Sequence, residues 1–352
     1  MLIARRGIAK MATNAGKTFV FAALLRKLML PSLIIVQSLD LLYQTSERLI
    51  QYLDSEVGII GDGNFVLGEY ATVATIQTLN SCRERHTAAF RMLSRDNAIL
   101  IVDECHHVAH NKTFDILMEI HGWYRWGFSG TPLDRGELND LKLIACTGPV
   151  LTEISNAELI SRGHSSIPTI HLHDMGGVDD DAWDLNYHDA YVQCIVECLE
   201  RNLRIVEIAN DCVRANKSVL VIVKWIRHGE ILLDMISSSN TNVMFVSGSS
   251  TNEERKTALC NMADGIPMVV IATTIFDEGV DVPALDSIIL ACGGRSTLKL
   301  LQRIGRGLRA KSGANEVEIH DFLDTDSKHL LEHSDARIGV YEQEGFKYEL
   351  VE

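Results

Sequence analysis

Met11-Ala12-Thr13-Asn14-Ala15-Gly16-Lys17-Thr18 joins a short apolar run to an apolar helical stretch, and Gly-Lys-Thr at such a joint is built to hold phosphate groups. Backbone N–H groups of the loop and of the helix starting near Lys17 would face a β-phosphate. Lys17 would reach the β and γ oxygens, and Thr18 would ligate Mg²⁺. The pattern G-x-x-x-x-G-K-[ST] is broken at its first position, where Met11 stands, and Asn14 occupies a place where many such loops carry another glycine. Asparagine is the best substitute there because it tolerates positive φ. Asn14, Ala15, Gly16, Lys17 and Thr18 are therefore the expected nucleotide cradle.

Short apolar runs recur at 33–36, 73–75, 98–102, 125–128, 219–223, 243–246, 268–272, 287–291 and 317–320, each bounded by polar or turn residues. Runs of this length and β-branched content predict strands buried on both faces. Helical patterns lie between them, over 18–29 (stopped before Pro31), 39–53 and 187–215. Alternating strands and helices predict an α/β protein with doubly wound parallel sheets. The strands fall into two sets, so two tandem domains are expected, 1–165 and 166–352, the second entered through an acidic connector over 166–186. That connector holds Pro168, Gly176-Gly177 and Asp179-Asp180-Asp181, which read as a solvated loop or, alternatively, a divalent-metal site. His171 and His173 alternate as in a strand and are expected at the surface.

Composition narrows the function classes. With 352 residues and 46% hydrophobic content the chain can bury one large core or two medium ones. No apolar run reaches the roughly 18 residues that span a bilayer, and the first ten residues lack the apolar core of a signal peptide. A cytoplasmic protein without membrane contact is expected. Eight cysteines are scattered without a C-x-x-C pair, which points to reduced packing residues. The net charge of −14 is uneven, since residues 1–150 hold 15 basic and 15 acidic side chains and the remainder 18 and 32. Such a surface does not coat nucleic acid indiscriminately, so any nucleic-acid site must be confined.

In doubly wound sheets ligands sit at the carboxyl ends of strands. After Ile99-Leu100-Ile101-Val102 come Asp103-Glu104-Cys105-His106. An acid directly after such a strand suits Mg²⁺, and an adjacent Glu can orient and deprotonate an attacking water. Cys105, His106, His107 and His110 also have ligand spacing for zinc, but no second half-site accompanies them.

These residues and several later segments, in order, make the chain resemble a superfamily 2 helicase of the DEAD/DEAH-related kind. Lys17 and Thr18 match motif I, and 38–44 (SLDLLYQ) resembles motif Ia. Residues 74–79 (ATIQTL) resemble the next nucleic-acid contact segment, Asp103 to His106 match motif II, and Ser129-Gly130-Thr131-Pro132 resembles motif III. Residues 219–230 resemble motif IV and 271–283 motif V, while Gln302-Arg303-Ile304-Gly305-Arg306-Gly307-Leu308-Arg309 matches motif VI. The resemblance implies two tandem RecA-like P-loop NTPase domains and an ATP hydrolase using ATP and Mg²⁺. It further implies catalytic roles for Lys17, Asp103, Glu104, Gln302, Arg306 and Arg309, with Gly279 and Asp281 near the nucleotide and Thr18 and Asp103 on the metal. His106, Ser129 and Thr131 would couple hydrolysis to strand movement, with Gln302 facing His106 across a closed cleft.

Two arginines at i and i+3 lie on one helical face, and their guanidinium forks suit the charge spread over a γ-phosphate in a loose transition state. They lie in the other expected domain from Lys17, so the cleft must close for hydrolysis. Residues 295–315 carry six basic side chains and no acid, including Arg295, Lys299, Arg303 and Lys311, which suits phosphate contact. Thr75, Gln77, Thr78, Ser247, Thr273 and Arg303 are the nucleic-acid contact candidates, since short polar side chains at strand ends grip phosphates without reading sequence.

The expected function is an ATP-dependent helicase or translocase acting as a monomer on nucleic acid, DNA before RNA, single-stranded or branched. It would be of the compact kind seen in phage branched-DNA helicases and in repair motor domains. The alternatives are the motor subunit of a restriction system and an ATP-gated clamp without turnover. In the family an adenine-recognising glutamine segment precedes motif I. Here Gly16 lies close to Met1 with no such glutamine upstream, so either the base is held loosely or Met1 is an internal start.

Overall fold

The computed structural model describes residues 1–12, 15–133, 136–176, 182–239, 241–273, 285–294 and 316–351. The chain forms two compact units, Met1–Ser155 and Asn156–Glu352. The sequence reading puts the division near 165. It falls earlier because the short helix Asn156–Ser161 and the strand that follows it pack with the second unit.

Among the described residues, the first unit is built on an eight-stranded sheet of order β4-β3-β5-β2-β6-β7-β1-β8. The strands are β1 (Arg6–Met11), β2 (Ser32–Val36), β3 (Gly58–Gly61), β4 (Asn64–Val66), β5 (Ala71–Thr75), β6 (Ile99–Asp103), β7 (Tyr124–Ser129) and β8 (Val150–Ile154). Every pairing is parallel except that of the short hairpin β3–β4. Side chains alternate between two cores, as the pleat requires. Ile8, Leu33, Ile35, Leu100 and Val102 face one layer of helices, while Ala9, Met11, Ile34, Val36, Ile99 and Ile101 face the other. That two-sided burial is why these strands read as unbroken apolar runs. Helix α1 (Lys17–Leu28) starts after Gly16, whose φ of 74° lies in the left-handed region that glycine adopts without a Cβ penalty. Helix α2 (Leu39–Leu53) is capped by Ser38, which accepts from the Leu41 amide at 3.3 Å, and it buries Leu42, Thr45, Ser46 and Leu49 on one stripe.

The second unit, among the described residues, has a seven-stranded, wholly parallel sheet of order β11-β12-β10-β13-β14-β9-β15. It comprises β9 (Ile167–Asp174), β10 (Val219–Ile222), β11 (Val243–Val246), β12 (Val269–Ala272), β13 (Ser287–Ile289), β14 (Glu316–Leu323) and β15 (Lys347–Val351). The expected connector is thus corrected at its start, since 167–174 form a strand paired on both sides. His173 is accordingly buried rather than at the surface, and its Nε2 lies 3.0 Å from His320 Nδ1. Residues 177–181, with the triple Asp, lie outside the described residues.

The single helix expected over 187–215 is broken. Tyr187–Tyr191 is followed by a π-helical turn, Val192–Val196, and then by helix α9 (Leu199–Arg214). Tyr191, Cys194, Ile195 and Val196 are too closely spaced to share the apolar stripe of α9, and they bury instead against Leu330. Asn202 Nδ2 donates to Val196 O at 2.9 Å and caps the break. The helix Lys328–Glu344 is tied to β14 by Arg337, whose Nε donates to Asp321 Oδ2 at 2.8 Å and whose Nη2 donates to Phe322 O at 2.7 Å. No helix among the described residues is long and apolar enough to cross a membrane.

Candidate nucleotide site

In the first unit the carboxyl ends of β1, β6 and β7 bring the chemistry together. After β1, the Ala12 amide donates to Ile154 O at 2.9 Å, and the Ala15 amide, just before Gly16, donates to Ala12 O at 3.1 Å. The first turn of α1 then carries Lys17 and Thr18, where N–H groups have no intrahelical acceptor. These dipoles and Lys17 form an anion-favouring corner.

Asp103 and Glu104 end β6. Glu104 has φ 46° and ψ 52°, a left-handed conformation that costs a non-glycine residue of order 1–3 kcal/mol. The turn sends its carboxylate to Lys17, with which it forms an ion pair, while its Oε2 lies 3.3 Å from His106 Nδ1. The Glu104 amide donates to Asp103 Oδ1 at 3.0 Å. Burial opposes charge on Lys17, but Glu104 and Asp103 outweigh it and hold the ammonium above its ordinary range. Burial likewise opposes charge on Glu104, yet Lys17 and His106 keep its carboxyl well below the usual carboxylate range. Asp103 goes the other way: burial pushes its carboxyl up to about 6 against the pull of Lys17, and the Glu104 charge adds to the rise. Two adjacent acids thus have environments that separate their proton affinities, which is how paired carboxylates acquire different tasks.

His106 Nδ1 lies 2.9 Å from Ser129 Oγ at the end of β7, and the Thr131 amide donates to the same hydroxyl at 3.2 Å. One side-chain path therefore runs Lys17, Glu104, His106, Ser129 and on to the backbone of Thr131. Gly127, inside β7, makes room for this arrangement, since a Cβ there would meet Cys105 Sγ at 2.8 Å.

Of the residues expected at the nucleotide, the structure brings Ala15, Gly16, Lys17, Thr18, Asp103 and Glu104 to this corner of the first unit, and with them the expected coupling residues His106, Ser129 and Thr131. Thr75 ends β5 and caps the helix Ile76–Arg85, accepting from the Thr78 amide at 3.3 Å, and the two hydroxyls lie 2.8 Å apart. The exposed Gln77 donates from Nε2 to Gln37 O at 2.8 Å, at the neighbouring end of β2. In the second unit Ser247 and Thr273 follow the adjacent strands β11 and β12, and the Thr273 amide donates to Val246 O at 3.1 Å. Asn14, Gly279, Asp281, Gln302, Arg303, Arg306 and Arg309 lie outside the described residues.

Two residues escaped the sequence reading. Arg48, on α2, adds its positive charge to the field at Asp103, which no local spacing reveals. Arg125, read as part of an apolar strand, is buried and donates to Cys146 O, Ile120 O and Leu117 O at 2.5–2.7 Å. A charged residue inside a buried run is the signal that could have singled it out.

The sequence model of the Type III restriction enzyme res subunit matches residues 3–134, and that of the helicase conserved C-terminal domain matches 196–311. The ATP-dependent DNA helicase UvsW of phage T4 is 25% identical across 99% of this chain and 74% of its own length. The DNA 3'-5' translocase XPB2 of Sulfurisphaera tokodaii is 26% identical across 87% of this chain and 75% of its own. A solved fragment assigned as the HsdR subunit of a type I restriction enzyme from Vibrio vulnificus superposes with a TM-score of 0.73 at 16% identity, covering 99% of this chain and 64% of its own. Dbp5 of Saccharomyces cerevisiae, solved with RNA and ADP BeF3, superposes with a TM-score of 0.66 at 14% identity, covering 98% of this chain and 85% of its own. At these identities the likeness is one of fold.

Proposed function

We propose that this chain, which belongs to the superfamily 2 helicases, is an ATP-dependent DNA helicase or translocase that works as a cytoplasmic monomer on single-stranded or branched DNA. The single observation that carries the reading is the buried Lys17–Glu104–His106–Ser129 path, which joins a phosphate-seeking ammonium to a water-activating carboxylate and on to a neighbouring strand end. The kinship with UvsW and XPB2, proteins named for acting on DNA, supports the choice of DNA.

The chain's own groups divide the work. Amides at Gly16 and the first turn of α1 receive the polyphosphate, and Lys17, drawn to the more highly charged anion, leaves Glu104. Glu104 then orients a water and accepts its proton. Asp103 and Thr18 supply the hard oxygen donors that Mg²⁺ prefers, and a buried carboxylate pushed towards protonation gains from a nearby cation, so these residues fit that ion. Bound there, Mg²⁺ would offset charge on the β and γ oxygens. Arg306 and Arg309 are proposed to meet the charge on the transferring phosphoryl group, with Gln302, Gly279 and Asp281 near the nucleotide. Thr75, Gln77, Thr78, Ser247, Thr273 and Arg303 are proposed to hold the strand by its phosphates.

Phosphate release should be measured for the wild type and for Lys17→Ala with single-stranded DNA, forked DNA, duplex DNA and RNA. Stimulation by forked or single-stranded DNA, lost in Lys17→Ala, is the expected result. No stimulation by any strand overturns the motor reading and leaves the ATP-gated clamp. Equal stimulation by RNA overturns the choice of DNA. The match of 3–134 to the restriction res subunit favours a second reading, a restriction motor, which unbranched duplex would stimulate as strongly as forked DNA.

A further inference from the structure

Strand β14 sits inside a parallel sheet, between β13 and β9, where a run of apolar residues is the rule. It instead reads Glu316-Val317-Glu318-Ile319-His320-Asp321-Phe322-Leu323. On the face turned to α9, Glu318 and His320 take positions that a core strand gives to valine or isoleucine. Across the ladder His171 pairs in register with His320, and their rings stack with centroids 5.1 Å apart. Polar groups in such a place need partners, and Lys217 and His173 supply only some of those that Glu318 and His320 can take.

From these positions we propose a second, independent metal site, in which Cys212, Glu318 and His320 hold a transition-metal ion of the zinc kind. Cys212 lies near the end of α9, and its Sγ, a Glu318 carboxylate oxygen and a His320 ring nitrogen all lie within 4.8 Å of one another. Tetrahedral zinc, with bonds of about 2.0–2.3 Å, sets ligand atoms roughly 3.5 Å apart, so modest side-chain rotation closes the three around an ion. The nitrogen is Nε2, because Nδ1 is engaged with His173 Nε2 at 3.0 Å, whereas Nε2 is buried with no hydrogen-bond partner among the described residues. A hydrogen bond on the far ring nitrogen is what fixes a ligating histidine in place.

The ligand set is thiolate, imidazole and carboxylate, which suits zinc or cobalt over calcium or magnesium. The three residues line a cavity of about 270 Å³ that Asp211 and Glu207 also border, leaving room for water as a fourth ligand. Lys217 Nζ, 2.6 Å from Glu318 Oε1, is the competitor that an ion must displace or share with. All three ligands belong to the second unit and none is among the residues of the nucleotide corner, so the two proposals are tested separately.

The chain should be stripped of metal with chelator and titrated with Co²⁺. The expected result is thiolate-to-cobalt charge-transfer absorption saturating at one equivalent. The band should vanish in Cys212→Ser, and affinity should weaken at least tenfold in His320→Gln and in Glu318→Gln with the band retained. Lys217→Ala should tighten binding. Oxygen-ligated Co²⁺ elsewhere gives no thiolate band, which keeps the readout specific. A wild type without the band at micromolar Co²⁺ overturns the proposal, as does a band that survives Cys212→Ser. If Cys212→Ser fails to fold, as its melting curve would show, the half-buried Glu318→Gln decides, and unchanged affinity there overturns the site.

Discussion

At the scale of the residue, Lys17 and Glu104 neutralise each other yet have separable duties. Lys17→Ala removes a preorganised charge from the phosphates and should lower ATP turnover by about 10²–10³-fold, with weakened nucleotide binding as well. Glu104→Gln keeps the shape of the side chain and removes only the base. Turnover should fall by about 10²–10⁴-fold while nucleotide affinity stays within a few-fold, checked by phosphate release beside fluorescent-nucleotide titration. Equal losses of affinity in both variants would place Glu104 in binding rather than in proton transfer. The meeting of Lys17, Asp103 and Glu104 at one corner was legible in the sequence, because a Gly-Lys-Thr opening a helix and a pair of acids closing a strand each mark the carboxyl edge of a parallel sheet. The His106–Ser129 bond was not, since it joins the ends of β6 and β7 and exists only once those strands lie side by side.

Elements show the same division between local and non-local causes. Helix α2 follows from its cap and its stripe, and its observed bounds, Leu39–Leu53, are those expected. The break in 187–215 does not follow from local pattern, because it depends on what Tyr191, Ile195 and Val196 find to pack against. Strand β9 was hidden for a related reason, as Pro168 and two histidines mask its period until β14 and β15 flank it. The helix Lys328–Glu344 is anchored to β14 around the buried Asp321. Arg337 bonds Asp321 and Phe322 O, and Tyr341 Oη donates to the same Asp321 oxygen at 2.7 Å. Arg337→Met strands the Asp321 charge and should destabilise the second unit by about 3–5 kcal/mol in urea unfolding. Asp321→Asn combined with Arg337→Met should recover part of that loss, and a cycle with no coupling would remove the pair from the account.

At the scale of the whole molecule, the central strands of both sheets and their alternation with helices were readable because doubly wound strands write themselves as apolar runs, whereas the roles proposed for residues in 274–284 and 295–315 rest on the motif resemblance alone. Acid should act on the second unit through a buried neutral group. His228, whose Nε2 lies 2.9 Å from Asn202 Oδ1, has its pKa lowered to about 3 by burial, with the Arg201 charge adding to the effect. Its folded pKa lies below the unfolded value near 6.5, so the unfolded chain binds the proton first. The stabilisation is complete above about pH 6.5 and is lost as pH falls towards 3, costing roughly 3 kcal/mol by pH 4. Melting followed from pH 7 to 4 should show this slope, and His228→Gln should remove its share while leaving that of His173 and His320, which burial pushes down to about 4 and about 3. The place of β9 bears finally on how the chain is made. His173 meets His320, its hydrogen-bond partner, 147 positions further along, and β15 follows later still. On the ribosome the first unit has all its strands as soon as β8 emerges, but β9 must wait, both edges bare, until nearly the whole second unit has been synthesised. Slow translation or early truncation should therefore aggregate the second unit while sparing the first.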